Sequence, residues 1–312
     1  MHVWSHTASR LNAFVAIVLG GVLLLFEVAI GLDPIWWVVG PLLGGLWYPL
    51  SMRRYFRRRK LLSEPFPQEW RDLLRRRILF YRRLDEEGRQ RFERNVRIFL
   101  AEQRIFGEAG RPAPEDIKLL IAASAAMLCH GKPNWEWPTM RDIVVYPGAF
   151  DETSYQVGSD APIIGMVQSQ GAIIFSAPHL REGFRRKKDG KNVGLHELAH
   201  VMDMADGAAD GVPGDLDWKV EAPWVEDIHK HLEAEHGDRL RRVLGNYAYT
   251  NEAEFFAVAV EEFFERPAKV READKELFEL LEEYFNLDPF TGRILQKKDE
   301  STKAADGEEE IR

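Results

Sequence analysis

The chain has 312 residues, 45% of them hydrophobic and 29% charged, with a formal net charge of -8 that its second half supplies. That length holds one large domain plus appendages, and the acidic balance argues against a chain built to neutralise phosphates. A single cysteine, Cys129, excludes a disulfide framework and fits a reducing compartment.

Hydrophobicity is concentrated at the start. Leu11 to Leu32 is long enough to cross a bilayer and Pro34 to Leu50 marginally so, with Gly31-Leu32-Asp33-Pro34 as the turn between them. The expectation is a two-helix transmembrane hairpin over residues 11–50, behind a short end at 1–10. A cleaved signal peptide fits less well, because the first apolar stretch is too long and runs straight into a second. Trp36, Trp37, Trp47 and Tyr48 suit membrane interfaces, and Gly40, Gly44 and Gly45 allow close helix packing. Glu27 inside the first span is an anomaly that needs a partner, a proton or an interfacial position.

A basic linker, 51–63, follows, with six basic residues between Arg53 and Lys60. Positive flanks stay inside, so both ends and the domain beyond belong on the cytoplasmic side of a bacterial inner membrane. The same run can bind the anionic surface of the lipid bilayer. No aromatic-basic module follows it, so no direct nucleic-acid partner is expected.

Residues 64–295 read as one domain. Trp70 to Phe106 reads as helical and amphipathic, with Leu74, Ile78, Tyr81 and Leu84 on one face. Asp116 to Cys129 reads as a buried, Ala-rich helix in which Cys129 is a packed thiol, with His130 at its end. Ile143–Tyr146 and Ala172–Ser176 read as short strands. The second, shortly before the helix described next, is the candidate edge strand for pairing with an extended peptide.

His196-Glu197-Leu198-Ala199-His200 carries the chemistry. On a helix, positions i and i+4 share a face, so both imidazoles can reach one ion, while Glu197 projects nearby as a base for the attacking water. Val193, Leu195, Leu198, Val201 and Met202 form the apolar stripe that buries this helix, which stops in the glycine-marked loop from Asp203 to Gly214. A catalytic site needs a third ligand. His229, His231 and His236 lie in a run that is charged all round and reads as a solvated helix. Asp203 and Asp206 are nearer candidates, and position 203 breaks the spacing of a third-histidine motif. A second helix offers carboxylates. Thr250 or Asn251 can cap it, Pro267 closes it, and its apolar faces place Glu254 inside the protein, with Glu261 sharing that face as a competing ligand or as an orienter of a histidine.

The runs NVGLHELAHVMD (192–203), GAADGVP (207–213), YAYTNEAEFFAVA (247–259) and VYPGAF (145–150), with Trp70, together resemble the Mlc titration factor A family of bacterial zinc peptidases over residues 64 to 290. The resemblance implies a zincin-like core distantly similar to the catalytic domain of anthrax lethal factor. It implies one zinc per chain on His196, His200 and Glu254, with Glu197 as base and Tyr247 as the active-site tyrosine. A tyrosine hydroxyl there can donate to a developing oxyanion, although Tyr249 could serve equally on chemistry alone.

The reading is thus an α+β, mainly helical zinc metallopeptidase domain with a small sheet behind a membrane hairpin. It would act on peptide substrates in an aminopeptidase-like way, with a transcriptional repressor as a partner that the family suggests. The rival reading is a membrane-tethered binding protein that sequesters a partner and holds zinc structurally, which leaves Glu197 without a purpose. The charged tail 296–312 is expected to be disordered.

Overall fold

The computed structural model describes residues 1–295 except 4, 139, 141, 151–163, 168–170, 187–188, 217 and 234–238. The charged tail and His236 therefore lie outside the described residues. The chain divides into two compact units, residues 1–66 and 67–312.

In the first unit α1 (His6–Ala29) starts at the Ser5 cap and turns through Gly31, whose positive φ of 72° suits only glycine without strain. A 3₁₀ segment, Pro34–Val38, leads into α2 (Val39–Ser51), and α3 (Arg53–Leu62) carries the basic run. Helices α1 and α2 pack antiparallel. A Cβ on Gly40 would stand 2.7 Å from the Leu24 backbone nitrogen, and one on Gly44 would strike the Ala16 carbonyl. Outward-facing Leu11, Phe14, Ile17, Leu25, Leu42, Leu46 and Leu50 are exposed. Among the described residues one helix, α1, is long and apolar enough to cross a membrane.

The second unit is mainly helical, with one small mixed sheet. Its elements in chain order are α4 (Gln68–Arg77), α5 (Leu79–Arg83), α6 (Glu86–Glu102), β1 (Ile105–Gly107), α7 (Glu115–Leu128), β2 (Asp142–Tyr146), β3 (Gly165–Val167), β4 (Ala172–Ser176), α8 (Ala177–Arg185), α9 (Val193–Asp203), α10 (Trp218–Glu233), α11 (Arg239–Leu244), α12 (Glu252–Glu265), α13 (Pro267–Ala273) and α14 (Lys275–Phe285). Strand order is β1-β2-β4-β3, with β1, β2 and β4 parallel and β3 antiparallel to β4.

Helix α7 is the hub, buried on every side from Leu119 to Leu128 because alanines and Ser124 let neighbours approach. It packs on α6 and α9, and α9 in turn packs on α12. Gly194 marks the tightest point, where a Cβ would collide with Ser124 Oγ. Cys129 ends α7 buried, as expected, its thiol pushed up by burial.

Three sequence expectations need correction. The stretch from Trp70 to Phe106 is not one helix. It breaks at Ile78 and Leu84, both extended, because Asp85 caps a new helix by accepting the Gly88 N–H, and it ends in β1. The four apolar residues are nonetheless all buried. Ala172–Ser176 is no edge. Paired on both sides, β4 has no free backbone face, and among the described residues the strand that ends the sheet toward the site is β3. The run around His229 and His231 is not solvated throughout: His229 is exposed, but Trp224, Asp227, Ile228 and His231 form a buried face of α10.

Candidate metal centre

Helices α9 and α12 build the site between them. Asn192 caps α9, its side chain accepting the Leu195 N–H, and sets the phase that turns His196 and His200 toward α12. Asn251 caps α12 by accepting the Glu254 N–H at 2.9 Å, which fixes Glu254 in the first turn, facing α9. Tyr247 sits in the 3₁₀ turn Asn246–Tyr249 just before.

Three ligand-type atoms converge. Glu254 Oε2 lies 3.1 Å from His196 Nε2 and 3.6 Å from His200 Nε2, and the two Nε2 atoms are 3.2 Å apart. An ion with four ligands at 2.0–2.1 Å spaces neighbouring ligand atoms roughly 3.3 Å apart, so the triangle has the dimensions of one face of such a shell. The far side of His196 reinforces this. Its Nδ1–H donates to Glu261 Oε1 at 2.7 Å, which turns Nε2 toward Glu254. A cation belongs between that nitrogen and the carboxylate, either a proton on the imidazole or a metal ion in its place.

Electrostatics point the same way. Burial alone would keep His196 neutral, but Glu254 and Glu261 outweigh it and raise the imidazole well above its ordinary value. Burial would raise Glu254, yet the two imidazoles hold its carboxyl well below the usual range. Glu197, 5% exposed, is pushed up to about 7 by burial first; His196 opposes the rise, and Glu254 and Glu261 add to it.

Glu261 is thus not in the triangle. Its second oxygen accepts the Asn192 backbone N–H, so one carboxylate ties His196 to the start of α9. Asp203 closes α9, buried and pushed up to about 6 chiefly by burial, and Asp206 is exposed in the following turn. Neither joins the triangle. Tyr247 does approach, its ring centroid 6.1 Å from that of His196. The ring is 59% exposed, while its hydroxyl is raised by desolvation and then by the charge of Glu254.

The triangle opens into a cleft of about 1020 Å³ lined by Gly165, Val167, His179, Lys191, Met204 and Leu244 among others. Sequence reasoning missed β3 and His179. The three-residue strand is too short to show alternation, and His179, whose Nδ1 lies 2.7 Å from Ser176 Oγ, follows a proline with no motif around it. Gly165 has a reason that only packing reveals. A Cβ there would collide with the Glu197 carboxylate and with Val193, so glycine lets the strand lie against Glu197.

Comparison with known proteins agrees with this chemistry. A protein of Synechocystis sp., itself uncharacterized, is 29% identical over 245 residues, 75% of this chain and 89% of that one. Mlc titration factor A of Cronobacter sakazakii is 28% identical over 223 residues, 66% and 82% of the two chains. The protein of that name from Escherichia fergusonii is 32% identical over 146 residues, 42% of this chain, and the match spans about half, 54%, of the relative. The family profile described as glucose-regulated metallo-peptidase M90 matches residues 52–286, most of the chain, and the protein belongs to that metallopeptidase family.

Proposed function

We propose that the protein is a membrane-anchored zinc peptidase with an HExxH-plus-Glu site on a zincin-like core. His196, His200 and Glu254 hold one zinc, Glu197 is the general base, and Tyr247 donates to the oxyanion. The observation that carries the reading is the triangle of Nε2, Nε2 and Oε2 atoms at 3.1–3.6 Å, with a buried carboxyl beside it that titrates near neutrality. Zinc bound there supplies a Lewis acid that makes water nucleophilic near pH 7 and polarises the scissile carbonyl. Glu197 takes the proton from the attacking water and returns it to the leaving amine, for which a pKa near the working pH is well placed. The approach of the Tyr247 ring to His196, 6.1 Å between centroids, supports a hydroxyl that would donate to a developing oxyanion, and Glu261 would keep the His196 imidazole in the required tautomer.

The cleft suits a short peptide, and β3, the last strand of the sheet among the described residues, would offer backbone pairing beside Glu197. Aminopeptidase-like action on short peptides fits the family resemblance. The name of the Mlc titration factor relatives supports a regulatory role through a transcriptional repressor. For the anchor, the 3₁₀ segment and α2 together rise roughly 30 Å, enough to follow α1 back across the hydrocarbon core as a hairpin. The basic α3 keeps the peptidase domain cytoplasmic.

The full chain, purified in detergent, is assayed against a short-peptide library with and without chelator, and again after zinc is restored. Turnover should vanish with chelator, return with zinc, and fall about 10²–10⁴-fold in Glu197→Gln with metal content unchanged. Tyr247→Phe should cost about 10²–10³-fold. Cleavage by Glu197→Gln at the parental rate would refute the mechanism and favour a binding protein.

A further inference from the structure

A second cluster lies away from the cleft, on α10 and at the start of α14. Trp224, Asp227, Ile228 and His231 recur at the three- and four-residue spacing of one helix face, and all four are buried. Trp224 and Ile228 are ordinary core residues, but a carboxylate and an imidazole on the same buried stripe are not. The Asp227 side chain is 2% exposed, and neither of its oxygens accepts a hydrogen bond among the described residues. Its nearest cationic groups are His231 Nε2 at 3.4 Å and Lys230 Nζ at 3.6 Å. Lys230 is itself largely exposed and sits closer to Glu276, at 3.2 Å. A buried carboxylate in this position needs a cation beside it, which the His231 imidazolium, or a metal ion in place of its proton, would supply.

Asp274 faces the same nitrogen from the other side, with its Oδ2 3.1 Å from His231 Nε2. Its Oδ1 accepts the Leu277 N–H as the cap of α14, and that bond fixes the direction of Oδ2. Two carboxylates thus flank one imidazole nitrogen, whereas a single N–H can donate along only one line. The ligand atoms of the three residues lie within 4.8 Å of one another. The separations of 3.1 and 3.4 Å match those among His196, His200 and Glu254.

We infer that Asp227, His231 and Asp274 form a second site for a divalent first-row transition metal, which clamps α10 to the start of α14. One imidazole with two carboxylates suits zinc or manganese better than magnesium or calcium. The clamp reaches the first site by packing. The His231 ring stacks on Phe255, centroids 5.7 Å apart and planes 16° apart, and Phe255 is the residue after Glu254.

The test is zinc content of the full purified chain after equilibration with zinc and exhaustive dialysis, with circular dichroism to verify folding. The parent should retain two equivalents. The His196→Gln/His200→Gln double variant should retain one, as should Asp227→Asn and His231→Gln separately, and chelator should still lower the Tm of the double variant. None in the folded double variant, whether the parent holds one equivalent or two, or two in both folded single variants would overturn the second site, whereas one equivalent in the parent that the double variant keeps would unseat the first. Two equivalents in the double variant would instead unseat the first site, so the two readings fail separately. If Asp227→Asn does not fold, the double variant and His231→Gln still decide the matter.

Discussion

His196, Glu197 and His200 were legible in the sequence because helical geometry alone brings positions i and i+4 together. The roles of Glu254 and Glu261 were not separable there, since seven residues apart they share a face. Depth decides between them: the first turn of α12 reaches the Nε2 side of His196, the third turn its Nδ1 side. Metal affinity, measured by chelator competition, should therefore fall furthest in Glu254→Gln, which removes the proposed third ligand. Glu261→Gln should weaken it only about 10–100-fold. The reverse ranking would exchange their roles. His130 shows the opposite limit of legibility. At the end of α7 it is fully buried, its ring edge-on to Phe80 at 5.3 Å, and burial holds its pKa down to about 3. The folded state keeps it neutral, whereas the unfolded chain takes up a proton near pH 6.5, so stability falls as pH drops below 6.5. About 2 kcal/mol should be lost between pH 6.5 and 5 from this group. In His130→Leu the stability slope over that window, read from urea unfolding, should flatten; an unchanged slope would remove His130 as its source.

At the scale of elements, capping was readable and interruption was not. Asn251, one of the two caps the sequence offered with Thr250, starts α12, because side-chain caps are local, and Asn192 starts α9 in the same way without having been singled out. The breaks at Ile78 and Leu84 are set by packing, since both residues continue the apolar stripe and only their backbone departs from it. Strand adjacency is non-local in the same way, which hid β4 in the middle of the sheet. The pairing of β3 beside α9 makes Gly165→Ala informative. Its added methyl must displace the Glu197 carboxylate or the strand, at a cost of about 1–3 kcal/mol in stability. A shift of the base by an ångström should lower kcat about 10²-fold. Parental turnover in a folded Gly165→Ala would show that the strand does not set the position of the base.

For the whole molecule, composition announced an apolar beginning and a soluble remainder, and the division at residue 66 follows it. The close packing of α1 and α2 expected at Gly40 and Gly44 is present, with Gly20 admitting the backbone from the other side, whereas Gly45 faces open space and takes no part in it. If that pair is a transmembrane hairpin, a reporter fused after Lys60 should be active only when it is of a cytoplasmic type. One placed in the turn at Gly31 should be active only when it is of an exported type. The opposite pattern at Lys60 would put the peptidase domain outside and end the case for a cytoplasmic repressor partner.

The contact between His196 and Glu261 has a consequence for biogenesis. The two residues are 65 positions apart. At translation rates of about 5–20 residues per second, His196 leaves the ribosome roughly 3–13 s before the carboxylate that orients it. The apolar hairpin is made long before either. If the apolar start is a membrane anchor and Glu254 a ligand of the proposed site, the chain meets its membrane while that site is still incomplete, and an intermediate lacking α12 should not cleave a neighbour.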